Sequence, residues 1–140
     1  MNAKTIITIL ASCAGLLLAG CASKSLEGSL NETSWTVKRL NNQPVLPSFP
    51  LTLSFNADGK ISGSTGCNRY LADYTYTASV RKISVGSINR TFKSCVPSEV
   101  MTQEQKFLQA LQAVASYNVT CDSMTLRTTD GTELITFVED

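Results

Sequence analysis

The sequence predicts a mainly β (α+β) domain in which about eight short strands accompany a single amphipathic helix. Three observations carry this. From Trp35 to Ile88 apolar and polar residues alternate in short runs, beyond Pro97 the apolar spacing lengthens to three and four residues, and from Tyr117 onward the alternation returns. Turn signals at Asn41-Asn42, Asn56-Ala57-Asp58-Gly59 and Asp130-Gly131 cut the alternating stretches to strand length.

The chain opens with one charge, Lys4, and an apolar run from Ile6 to Ala19 that ends in small residues. That is the layout of a secretory signal over residues 1–20. At about 14 residues the run is shorter than the roughly 20 a spanning helix needs. Leu18-Ala19-Gly20-Cys21 resembles the bacterial lipobox. The resemblance implies that Cys21 is acylated, by diacylglyceryl and palmitate, and becomes the mature N-terminus; the alternative is an ordinary signal with an incidental cysteine. Residues 21–30, with Ser23, Lys24, Ser25, Glu27, Gly28 and Ser29, have little to bury and read as a tether.

Trp35 and Val37 begin the first strand, closed by Asn41-Asn42. Pro44, Pro47 and Pro50 then oppose regular ladder pairing. Leu51, Leu53 and Phe55 form one arm of a hairpin and Ile61, Gly63 and Thr65 the other. Gly63-Ser64-Thr65-Gly66-Cys67-Asn68-Arg69-Tyr70 reads as a strand end pinned to a distant segment, with glycines where backbone passes close to backbone. Tyr74, Tyr76, Ala78 and Val80 continue as a further arm, and Ile83, Val85 and Ile88 as one or two short strands. Val100, Phe107, Leu108, Leu111, Val114 and Ala115 mark a helix from about Ser98 to Ser116, capped by Ser98 or Thr102, with Glu104 and Lys106 expected on its wet face. Tyr117, Val119 and Cys121, then Met124 and Leu126, then Ile135 and Phe137 supply the last strands.

Composition bounds the function. A mature chain of about 120 residues holds one core and not two. Losing Lys4 with the leader levels the basic count with the 11 acidic residues, so no strongly charged partner, and no nucleic acid, is favoured. The chain has no histidine, which excludes Ser/His/Asp and Cys/His catalysis and removes the commonest transition-metal ligand. Export places the cysteines where disulfides persist. Three non-lipidated cysteines, Cys67, Cys95 and Cys121, allow three single pairings, and the residues alone do not choose among them.

Gly66-Cys67-Asn68-Arg69-Tyr70 with Tyr74, then Thr91 and Cys95, then Glu104 and Phe107-Leu108, and finally Met124-Thr125-Leu126 resemble the META domain family, of the HslJ-like type of heat-inducible lipoprotein. The resemblance covers residues 31–138 and sets the domain at 31–140. It implies a small antiparallel lipocalin-like β-barrel with one helix packed on it, and a Cys67–Cys95 disulfide that leaves Cys121 reduced or capped. It also implies an envelope protein linked to stress or drug tolerance, without a defined biochemical activity. Ala72 departs from the family, which often has Gly there, and Cys121 stands where a turn residue is usual.

Gly63 and Gly66 lack the Lys and Ser/Thr of a phosphate loop. Asn68 satisfies backbone at a barrel corner, with ligand binding as the alternative; for Arg69 the residues are silent, and Gly66, Asn68, Arg69 and Tyr70 are the structural motif. No catalytic residue, metal ligand or cofactor is assigned. The leading reading is a lipid-anchored envelope protein, in the outer membrane and facing the periplasm, that holds the membrane through acyl chains on Cys21 and acts through an envelope protein partner. A small-ligand-binding barrel is the alternative, and a carboxylate-based enzyme the remote one. Phe55, Tyr74, Tyr76, Phe92 and Phe137 are expected to fill the barrel interior.

Overall fold

The computed structural model describes residues 29–140. The expected signal, Cys21 and most of the expected tether lie outside the described residues.

Strand β1 (Thr33–Leu40) turns through Asn41 and Asn42, with φ of 49° and 61°, into the two-residue β2 (Gln43–Pro44). Asparagine tolerates this left-handed backbone, and two such residues make the tight turn that suits the twist of a hairpin. An irregular proline-containing connection leads to β3 (Thr52–Phe55), β4 (Lys60–Ser64) and β5 (Arg69–Thr77). The β3–β4 hairpin is the one expected from Leu51 to Thr65. The third arm differs: β5 starts earlier, at Arg69, and Ala78–Val80 form a 3-10 turn instead of extending it. Then follow β6 (Lys82–Val85), the short β7 (Asn89–Arg90), helix α1 (Ser98–Ala113), β8 (Ser116–Val119), β9 (Ser123–Arg127) and β10 (Glu133–Glu139).

The strands form one antiparallel sheet in the order β10-β9-β8-β6-β5-β4-β3-β1, and β1 pairs with β10 to close it. β2 and β7 are short additions to β1 and β5. The result is an eight-stranded, lipocalin-like barrel with one helix, as the sequence predicted. β6 meets β8 at a single pair, Lys82 with Ser116, so this is the thinnest seam.

Alternation decides what lies inside. Trp35 and Val37 from β1, Tyr70, Ala72 and Tyr74 from β5, Met124 and Leu126 from β9, and Ile135 and Phe137 from β10 all turn inward and are buried. Leu30, counted with the tether in the sequence, is fully buried in the same core. Two expected interior residues behave differently: Tyr76 is only half-buried, and Phe92 is 83% exposed.

Helix α1 packs on β1 and β6 and lays Val100, Glu104, Phe107 and Leu111 against the barrel. Phe107 meets the edge of Tyr70 at 5.7 Å between ring centroids. The helix starts after an extended Pro97 and has no side-chain cap, so neither Ser98 nor Thr102 plays that role; Thr102 bonds back to the Ser98 carbonyl. It ends at Ala113 because Val114 is already extended, leading the chain into β8.

Registers sort the connections to two ends. Thr33 lies opposite Phe55, and the Asp140 amide reaches Ser34, so the start of β1, the β3–β4 turn and the C-terminus share one end. The Ser64–Arg69 corner, loop 91–97 and the start of α1 gather at the other.

Candidate functional site

The densest polar cluster sits where β4 turns into β5, beneath loop 91–97. Backbone proximity explains both glycines of the corner. A Cβ on Gly63 would lie 2.1 Å from the Thr52 carbonyl oxygen, a distance no side chain survives. Gly66 has a φ of +87°, which favours glycine, and a Cβ there would meet Phe49.

Thr65 and Asn68 close the corner. The Thr65 amide donates to the Asn68 carbonyl at 2.8 Å, and the Asn68 amide donates to Thr65 Oγ1 at 2.8 Å. The Asn68 side chain is 1% exposed and uses both ends. Its Oδ1 accepts from Thr91 Oγ1 and from the Lys93 amide, each at 2.7 Å. Its Nδ2 donates to the Lys93 carbonyl at 3.1 Å and to Glu104 Oε2 at 2.8 Å. Reversing the side-chain amide would face like against like at both backbone groups of Lys93, so the network settles which atom is which.

Glu104 comes from α1. The wet-face expectation is corrected here: Glu104 is 2% exposed and lies against the barrel. Oε1 accepts from Arg90 Nη1 at 2.9 Å, and Oε2 accepts from Asn68 and from the Thr65 hydroxyl. A buried carboxylate is tolerable only with such partners, because charge taken out of water must be met by charge or by donors. Lys106, on the opposite side, is exposed as expected.

The Cys67–Cys95 disulfide joins the corner to the loop, with Cα atoms 5.9 Å apart. This is the pairing the resemblance implied. Cys121 is disulfide-bonded as well, which overturns the expectation of a reduced or capped thiol. It lies exposed in the turn between β8 and β9.

Of the motif residues, Tyr70 points inward, donating its hydroxyl to the Thr52 carbonyl at 2.8 Å, and burial pushes its phenol well above the usual range. Arg69 is exposed on the outer face of β5. The structure therefore brings together Gly66, Cys67, Asn68 and Cys95, and leaves Arg69 facing solvent. Sequence reading missed Thr65, Arg90 and Glu104 as members. For Glu104 the signal was present, since Val100, Glu104, Phe107 and Leu111 follow the spacing of one helix face.

Among the described residues, no buried side-chain nitrogen or oxygen lacks a hydrogen-bond partner. The cluster's donors and acceptors are spent on one another, which makes it a brace tying the helix, the corner and the loop. A separate concave surface lies on the other side of α1. A groove of about 310 Å³ runs between the β1–β2 turn and α1, lined by Leu40, Gln43, Pro44, Leu46 and Gln103 among others. Gln103 spans its inner side, accepting from the Leu46 amide at 2.7 Å and donating to the Phe49 carbonyl at 3.0 Å.

Comparison with known proteins gives a family and a fold. A family profile described as META domain matches residues 28–140. A solved structure described as an NMR structure of the protein from Burkholderia xenovorans is 26% identical, with a TM-score of 0.66 over 81% of this chain and 86% of that one. A crystal structure of a DUF4847 family protein from Bacteroides vulgatus is 16% identical, with a TM-score of 0.62 over 81% and 96%. Among curated proteins, none matches the chain in sequence.

Proposed function

This chain belongs to the META domain family, and from that premise we propose that it is an acyl-anchored lipoprotein of a bacterial envelope, supporting envelope integrity and stress or drug tolerance through protein contacts and not through catalysis. The observation that carries the reading is Leu18-Ala19-Gly20-Cys21, placed directly after an apolar run of secretory type. One acyl chain gives marginal membrane residence and stable anchoring takes two signals; a diacylglyceryl group on Cys21 supplies both on one residue. Ala22 and Ser23 follow, where lipoproteins held at the inner membrane typically carry Asp, so the reading puts the protein in the outer membrane, facing the periplasm. The polar cluster supports a non-catalytic role in that its donors and acceptors already serve the fold.

A ligand-binding role is the second reading, and one observation favours it: the groove beside α1 reaches the lower end of the size that holds small molecules. The interior does not help it, because the barrel is filled by Trp35, Phe55, Phe107 and their neighbours.

Membrane fractionation of cells carrying Cys21→Ser tests the anchor. The variant should lose the acyl mass and leave the membrane fraction or stall unprocessed. A variant that stays in membranes at mature size would refute the reading.

A further inference from the structure

Loop 91–97 carries the two most exposed large hydrophobic side chains among the described residues, Phe92 at 83% and Val96 at 86%. Loose loops fold such groups down; this one is prevented from doing so. On either side of Phe92, the Thr91 hydroxyl and the Lys93 amide are fastened to Asn68, and Cys95 is fastened to Cys67. With the Thr91 hydroxyl and the Lys93 backbone amide committed to Asn68, Phe92 projects into solvent, and its ring centroid lies 4.6 Å from the Arg90 guanidinium carbon. The fold thus holds a short segment still while leaving its apolar side chains bare. That arrangement lowers the ordering cost of association, and exposed apolar surface with a polar rim marks interaction sites.

Charge gives the partner's chemistry. Residues 89–97 contain Arg90 and Lys93 and no carboxylate, and Arg69 lies exposed beside them, its carbonyl accepting from the Thr91 amide. Arg69 and Lys93 enter none of the ion pairs formed by the described residues. Glu104 is buried against Arg90, and Glu99 faces the separate groove by Leu40.

We propose that loop 91–97 docks a protein partner whose contact face is an apolar hollow rimmed by carboxylates. The choice of a protein over a bilayer rests on the anchoring reading above. β1 starts at the end of the barrel opposite the loop, so a tether to Cys21 enters the barrel at the end remote from Phe92 and Val96 and leaves them free to meet a protein.

The test uses the full chain in intact cells, with photoreactive benzoylphenylalanine replacing Phe92 and, as controls, Val80 or Val138, which are exposed apolar positions elsewhere. Light should join the Phe92 position, and neither control, to one protein. That protein, once purified, should bind the full chain more weakly as salt rises, and Phe92→Ala or Lys93→Glu should each cost roughly tenfold or more in affinity. Both side chains are exposed, so the denaturation midpoint and the Cys67–Cys95 peptide should stay as in the parent and exclude misfolding as the cause. Lipid adducts, no adduct, equal adducts at all three positions, or a captured protein indifferent to Phe92→Ala and Lys93→Glu would each overturn the proposal. Fractionation of the same cells reads the anchor separately: a protein found outside the membranes that still forms the Phe92-specific adduct sinks the anchoring reading and leaves the docking surface standing.

Discussion

Asn68→Asp changes one side-chain NH₂ to an oxygen and almost nothing in shape, yet the brace predicts a large and pH-dependent effect. Nδ2 of Asn68 stands 2.8 Å from Glu104 Oε2, and an ionised aspartate would set two carboxylates there. At that separation, and at an effective dielectric constant of about 20, their repulsion is roughly 6 kcal/mol. The pair has a cheaper escape in binding one proton. Protonating a carboxyl of ordinary acidity at pH 7 costs about 4 kcal/mol, which caps the destabilisation, and each unit of acidification lowers the cap by about 1.4 kcal/mol.

The protonated side chain restores a donor toward Glu104 while its other oxygen still accepts from Thr91 and Lys93. Its folded state holds a proton that the unfolded chain has lost above a pH of about 4, so stability falls as pH rises through that point and returns on acidification. Urea denaturation with disulfides intact, run on both proteins, should give a deficit of about 4 kcal/mol at pH 7 and about 1.5 kcal/mol at pH 5. A deficit equal at the two pH values would mean that Asn68 and Glu104 do not face each other, and one below about 1 kcal/mol at pH 7 would mean that the cluster is open to water.

The disulfide spans 28 residues, and Cys67→Ala with Cys95→Ala should cost about 3.6 kcal/mol in the chain-entropy account; a urea midpoint unchanged from the parent would contradict it. Iodoacetamide on the unreduced, unfolded protein should leave Cys67 and Cys95 unmodified, and a labelled peptide from either would count against their pairing. Burial, with smaller contributions from Tyr76 and Asp58, pushes the Tyr74 phenol up to about 12. An alkaline absorbance titration should show a late step that Tyr74→Phe removes. Because the folded value lies above the ordinary one near 10, stability should fall as pH rises past about 10; phenols that all ionise near 10 in the folded protein would refute the burial argument.

The strands were legible because a barrel imposes period two on the sequence, and Trp35, Phe55, Met124 and Phe137 obey it. Where local rules compete with long-range ties, pattern reading stops short. Phe92 lies two residues from Arg90 and has a core-sized ring, but Thr91 and Lys93 are drawn to Asn68 some two dozen positions earlier, and only that tie decides which way the ring faces. The start of β5 at Arg69 was missed for a related reason. Its first pairing, with Ser64, follows a corner closed by Thr65 and Asn68 across Gly66, where no alternation exists to read.

Glu104 makes the physical lesson specific. Its place on the helix face of Val100, Phe107 and Leu111 argued for burial, and its charge argued for water. Charge loses to position only if the barrel supplies donors at the right spot, and the donors come from three separate segments: Thr65, Asn68 and Arg90. None of these is recognisable as a carboxylate's partner until the corner and β7 are folded beneath the helix. The same network that hides the carboxylate also holds loop 91–97 in place, so burying Glu104 and displaying Phe92 are two consequences of one set of bonds centred on Asn68. An acidic residue on an apolar helical stripe is accordingly a reason to seek its donors in distant polar residues, here the Asn68 of the Gly-Cys-Asn-Arg-Tyr motif, before assigning it to solvent.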